Sequence, residues 1–206
     1  MGRLHVSAEE AREGEEYLRR YLAEAEPRLR WLREESARTG GPTPDRLDFG
    51  RDSLVPLWTW ALDRFRARPA DQPLEKVEEG RHRYFVPAGA TLPMWYGRRG
   101  IQAPHGWSDE TLELIDALVY YLAETILRAV PDARWEVWHA DVKDHINENQ
   151  PVLTGFSTPI DPLTTVIGLG GRVTRHLNPD APNPYDIPAA TPHDLRDRFD
   201  AAVGWR

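Results

Sequence analysis

The chain has 206 residues with 26 basic and 33 acidic side chains, a formal charge of −7, no cysteine and 18 prolines. That length suits one domain, or one domain with a small appendage. Zero cysteine excludes a disulfide framework, a cysteine nucleophile and a thiolate metal site. The acidic balance makes a poor general nucleic-acid ligand, because affinity there comes from neutralising phosphates, and a reasonable match for a basic partner.

The hydrophobic fraction is 40% and the charged fraction 29%, the composition of a folded protein rather than a disordered one. No apolar run reaches the ~18 residues of a membrane span. The longest, residues 112–130, is interrupted by Asp116, Glu124 and Arg128. The first 16 residues hold no apolar stretch of signal-peptide type, so a cytoplasmic location is the default expectation. The basic side chains are 24 arginines with only Lys76 and Lys143, the bias of a high-GC, actinobacterial type of coding sequence.

The first element is a helix opened by Ser7 and Glu10 in capping-box spacing, with Tyr17, Leu18, Tyr21, Leu22 and Ala25 as its stripe. Pro27 forces a new turn or a kink, after which Leu29, Trp31 and Leu32 carry helix to about Arg38. Residues 39–44 are loop, and Leu47 to Phe49 is a short extended candidate. A helix capped by Asp52 or Ser53 then buries Leu54, Leu57, Trp58, Ala61, Leu62 and Phe65 and stops before Pro69. Residues 69–80 read as linker and 81–87 as a strand. Residues 88–107 are irregular and aromatic.

Ser108 caps the strongest helix of the chain, apolar almost all round from Leu112 to Val130, which marks it as central. Strands follow at 134–140, 151–156 and 164–168, the last closed by Gly168, Gly170 and Gly171. A proline-rich extended tail ends in a helix with Thr191 as N-cap, Pro192 at the first position and Asp194 in the capping-box place.

Four features could carry chemistry. Glu124 stands in an apolar helix near Tyr120, Tyr121 and Arg128, where desolvation would make a general acid or base; an ion pair with an arginine is the simpler reading. His139, Asp141, Asp144, His145, Asn147 and Glu148 have the residue types of a hydrolase or metal site. The six-residue spacing of the two histidines suits neither a helix face nor a strand face, so a solvated turn is favoured. The Gly168–Gly171 stretch is short of a phosphate loop and no metal or cofactor is expected. Trp95, Tyr96, Trp107 and Trp138, with Arg98 and Arg99, have the composition of interface anchors, and could equally roof the core.

The stretches LDFGRDSLVPLWTWALDRF, IDALVYYLAETILRAVPDARWEV, NENQPVLTGF and IDPLTTVIGLGGRV occur in that order. This pattern resembles a loose group of small acidic bacterial proteins, some of which look like immunity proteins of polymorphic toxins. It spans about half of the chain and departs at Ala123 and Gly50, where the group often has Gly and Ser. No catalytic residue is attributed to the group, so none is carried over.

The expectation is therefore a single α+β domain: helices over 1–68, a helix-plus-sheet core over 81–171, and an extended tail with a terminal helix over 172–206. The central helix should pack on a small, mostly antiparallel sheet through Leu118, Leu122, Ile126, Trp135, Val137, Val152, Leu153 and Ile167. The expected function is non-enzymatic binding of a basic protein by occlusion, with no membrane or nucleic-acid partner. A small hydrolase or transferase around Glu124, His139, Asp141 and His145 is the second reading. A structural subunit with the tail as docking arm is the third.

Overall fold

The computed structural model describes residues 8–79, 82–97, 106–139, 148–177 and 186–204. The α+β class is observed: six helices and four strands stand among those residues. Helices α1 (Ala8–Ala23) and α2 (Ala25–Arg38) meet at a one-residue break. Pro27 falls in the first turn of α2, where its missing N–H costs nothing. Ser7, the expected cap of α1, lies outside the described residues.

Residues 47–49 are not extended. A 3-10 turn at Pro44–Arg46 precedes them, and Phe49 adopts a left-handed φ of 61°. Its N–H donates to the Tyr121 hydroxyl at 3.1 Å, and its ring stacks on Tyr121 with centroids 4.8 Å apart. Those contacts hold a conformation that a non-glycine residue rarely adopts. Helix α3 (Leu54–Leu62) follows a second 3-10 turn, and Trp58 is its fully buried anchor.

The linker expected over 69–80 contains a strand. Strands β1 (Leu74–Glu79) and β2 (His82–Pro87) form an antiparallel hairpin in which Lys76 faces Phe85 and Val77 faces Tyr84. Alternation does the sorting. Tyr84 and Val86 turn inward against the core, while Phe85 stays 46% exposed.

Helix α4 (Asp109–Ala129) is the central element, as the apolar run implies. The Ser108 Oγ accepts from the Thr111 N–H at 3.2 Å and closes its N-terminus. It packs against α2, against α5 (Pro162–Leu177) and against α6 (Asp194–Gly204). Leu112, Ile115, Leu118 and Ile126 are fully buried. No described helix is long and apolar enough to cross a membrane.

The expected sheet over 134–170 is smaller than proposed. Strands β3 (Arg134–Val137) and β4 (Pro151–Thr154) pair antiparallel, with Trp135 opposite Leu153. Residues 164–168 are not a third strand; they lie in α5. Packing overrides the β-branched content of Thr164, Thr165, Val166 and Ile167, because helical spacing sets Leu163, Val166, Leu169 and Val173 against the core. Gly170 lets α5 approach closely: a Cβ there would lie 2.9 Å from Phe65 and 3.1 Å from Ile115. The hairpin leans on α1 as well as on the central cluster, since Val137 meets Gly14 and the Trp135 ring meets Tyr21 edge-on at 5.6 Å.

The tail has no regular secondary structure over 186–191 and is tied to α3 and α5. The Trp58 Nε1–H donates to the Thr191 carbonyl at 3.0 Å, and Arg172 donates to the Ala189 carbonyl at 3.0 Å. The Thr191 N–H donates to the Asp194 carboxylate at 2.7 Å, the reciprocal half of the capping box.

Candidate binding groove

The aromatic residues expected at an interface are not exposed. Trp95 is 4%, Tyr96 7% and Trp107 5% accessible. Each is buried because its polar atom has an internal partner. The Trp95 Nε1–H donates to Asp116 at 2.8 Å, the Tyr96 hydroxyl to the Phe85 carbonyl at 2.8 Å, and the Trp107 Nε1–H to Thr174 at 3.0 Å. Trp138 is partly buried beside the extended β3–β4 ladder, where its N–H donates to the Gln150 carbonyl at 2.8 Å. Arg98 and Arg99 lie outside the described residues.

The second expected site does not assemble either. Glu124 lies on the outer side of α4, paired with Arg128 one turn on at 2.8 Å. His139 meets Glu148 at 3.2 Å across the hairpin. Among the described residues, the hydrogen bonds and ion pairs of Glu124 and His139 thus go to other partners and not to each other. Asp141 and His145 lie outside the described residues. Among those described, no group of three His, Asp or Glu is placed to hold a metal ion.

The structure instead opens a groove where the first turns of α4 meet α2, α3 and the segment after α3. That segment is strapped down beside residues 106–108. The Arg66 N–H donates to Thr111 Oγ1 at 2.8 Å, the Ser108 N–H to the Arg66 carbonyl at 3.1 Å, and the Arg68 N–H to the Gly106 carbonyl at 2.9 Å. Two depressions adjoin. The inner one, about 320 Å³, lies between Trp31, Glu35 and Arg38 of α2, Trp60 and Arg64 of α3 and its exit, and Glu110, Glu113 and Leu114 of α4. The outer one, about 550 Å³, is bounded by residues 66–72 and by Ser108, Asp109 and Glu110. Glu110 lines both.

Helical spacing makes this wall. Trp31, Glu35 and Arg38 recur at i, i+4 and i+7 on α2, and Glu110 and Glu113 at i and i+3 on α4. Trp60 is fixed from both sides: its Nε1–H donates to Thr39 Oγ1 at 3.0 Å, the Arg64 guanidinium lies 5.6 Å above its ring, and Gly41 backs it so closely that a Cβ would collide. Trp31 is half-buried and turned into the inner depression.

The charges are unbalanced. Five carboxylates (Glu35, Asp71, Asp109, Glu110, Glu113) and three guanidiniums (Arg38, Arg64, Arg66) line the two depressions, an excess of negative charge. Glu35 is taken by Arg38 in a bidentate pair at 2.7–3.0 Å. Burial pushes the Glu113 carboxyl above its ordinary value; Arg28, 3.5 Å away, pulls it down, and Glu35 and Glu110 push it up again. Asp109 Oδ1 is buried with no hydrogen-bond partner. Glu110 is exposed and enters no ion pair with a described residue.

Behind the groove, Asp116 is buried at the contact of α2 and α4. Its Oδ2 lies 2.8 Å from Arg28 Nε, an ion contact whose angle is poor for a hydrogen bond. Burial pushes its carboxyl up to about 6, against the pull of Arg28 and of the Trp95 N–H. Sequence reading missed this groove because Asp109 and Glu110 look like ordinary residues of a helix start and Trp31 like core. The available signal was the Glu110–Glu113 pair on one face of a largely apolar helix. Comparison with family models, curated proteins and solved structures finds no match to this chain.

Proposed function

We propose that this protein is a non-enzymatic binding module for a basic protein partner, and that the groove over the start of α4 is where the partner docks. The observation that carries this is the groove's excess of carboxylates around a half-buried tryptophan, on a chain whose formal charge is −7. Acidic surface steers a basic partner in, and an aromatic wall supplies apolar contact once water leaves. Occlusion of a basic toxin domain, as the resemblance to immunity-type proteins implies, is the form of function this reading favours.

The test is a charge-reversal comparison. A polyarginine peptide and a polyglutamate peptide are titrated into the protein while tryptophan fluorescence and backbone amide shifts are followed. The polyarginine peptide binds and shifts amides of residues 31–38 and 109–114; polyglutamate does not. Glu110→Lys with Glu113→Lys abolishes that binding, whereas Glu75→Lys with Glu78→Lys, an equal reversal on the hairpin, leaves the groove shifts in place. Equal loss in both double variants would reduce the effect to net charge and end the reading.

A further inference from the structure

We infer that Asp116 is a pH-operated latch: with its carboxyl protonated, the turn at residues 93–97 stays docked on α2 and α4 and holds the β1–β2 hairpin in place; with the carboxyl ionised, turn and hairpin lift away together. The device is separate from the groove and does not rest on the binding reading. Its first support is a charge imbalance. The Arg28 guanidinium serves three carboxylates at once: Nε is 2.8 Å from Asp116, Nη1 3.5 Å from Glu113 and Nη2 3.8 Å from Glu24. The contact to Asp116 lacks hydrogen-bond geometry, and Arg28 Nε is left without a hydrogen-bond partner. The other ionisable groups around Asp116 are phenols, Tyr120 of α4 and Tyr21 of α1 with Tyr17 behind it, and burial keeps Tyr21 and Tyr120 protonated at neutral pH. Ionised Asp116 is thus a third negative charge on one guanidinium, in a side chain only 4% exposed. A charge buried with so little compensation is costly until water reaches it.

The second support is what bars that water. Trp95 seals Asp116 and donates to it from Nε1 at 2.8 Å. Trp95 sits on a short turn closed by the Tyr96 N–H, which donates to the Pro93 carbonyl at 2.9 Å. The same turn grips the hairpin. The Tyr96 hydroxyl donates to the Phe85 carbonyl at 2.8 Å, Tyr84 meets the Tyr96 ring edge-on at 6.4 Å, and the Tyr84 ring fills the space where a Cβ on Gly97 would stand. The two strands pack on each other far more than on any helix. Opening this unit costs less than parting α2 from α4, whose contact is part of the apolar core. The docked state holds the Asp116 proton up to about 6, and the hydrated carboxyl of the open state releases it near 3.9. Opening is therefore suppressed at low pH and eases as pH rises through about 6.

The experiment is hydrogen exchange by NMR on the full chain, corrected for the intrinsic pH dependence of exchange. The probes are the Trp95 indole N–H, the Tyr96 amide and the amides of residues 83–87. Their protection should fall about tenfold between about pH 5 and about pH 7.5, through an opening that low urea does not promote. Residues 115–126 of α4 should stay better protected at both pH values. Asp116→Asn, which keeps an acceptor for Trp95 and cannot titrate, should show equal protection of the probes at both. Glu24→Gln, at the surface, relieves Arg28 of one carboxylate and should shrink the fall while leaving the fold intact. Protection that does not change with pH, a fall that persists in Asp116→Asn or is undiminished in Glu24→Gln, or probes as well protected as α4 at both pH values would each overturn the latch.

Discussion

The helical body and the β1–β2 hairpin are held by different forces. Around α4, stability comes from interlocked apolar side chains: Leu112, Ile115, Leu118 and Ile126 are sealed by α2, α5 and α6. The hairpin is a two-stranded ladder, which is marginal in water unless something backs it. Its backing combines the inward faces of Tyr84 and Val86 with a few directed bonds. The Tyr96 hydroxyl reaches the Phe85 carbonyl, Gln72 donates to the Ala88 carbonyl at 3.2 Å, and Tyr84 rests over Gly97. The turn that carries Tyr96 is itself fastened by Trp95 to Asp116. Burial is spread over many contacts in one region; in the other, two inward side chains and a few directed bonds share the load.

Truncation should expose that contrast most strongly. Leu118→Ala is expected to cost about 2–5 kcal/mol in chemical denaturation, the range for a cavity in a closed core. Phe85→Ala, on the exposed face of the hairpin, should stay within about 0.5 kcal/mol. A comparable loss at both sites would mean that the hairpin shares the core's cooperativity.

The joint between the regions should depend on pH. The folded protein holds the Asp116 proton up to about 6, above the ordinary carboxylate value of about 3.9. The native state therefore binds this proton more tightly than the unfolded chain. The group's contribution to stability is fully present below the ordinary value and is lost as pH rises through about 6. Asp116→Asn keeps an acceptor for the Trp95 N–H and removes the titration. Denaturation followed across that window should show a slope in the parent, of order 3 kcal/mol in total, that the variant lacks.

Within the body, α5 offers a test of close packing at single-atom scale. Gly170→Ala drives a Cβ toward Phe65 and Ile115 and should lower stability by about 1–2 kcal/mol. Gly168→Ala meets nothing within 4 Å and should raise it by up to about 1 kcal/mol through helix propensity. The opposite signs are the readout, measured by thermal or urea unfolding.

A single bond tests the β1–β2 hairpin. Tyr96→Phe removes the bond to the Phe85 carbonyl and should cost about 1 kcal/mol. Amide exchange should quicken in residues 83–87 and remain slow in α4. Exchange that quickens equally in both would dissolve the distinction between the regions.

Much of the body was legible from local pattern. The largely apolar stretch after Ser108 could only be satisfied as a buried helix, and the serine supplied its cap. Thr191 and Asp194 announced the last helix in the same way, by a short-range bond that needs no distant partner. Residues 69–80 hid a strand because its ladder partner lies in the next segment, and its own charged residues read as solvent-facing linker. The groove was hidden more deeply. Trp31, Asp71 and the Glu110–Glu113 pair are far apart along the chain, and each has an ordinary local explanation until α2, α4 and the strap are brought together.

Sequence alone determined the α+β class, the extent of α4 and the opening of α6, because these follow from periodicity and from caps that act within three or four residues. The tertiary structure decided which tryptophans face water, turned residues 164–168 into helix and made one wall of Glu110 and Trp31. Those outcomes depend on what lies opposite a side chain, and the neighbours opposite come from parts of the chain that only folding brings close.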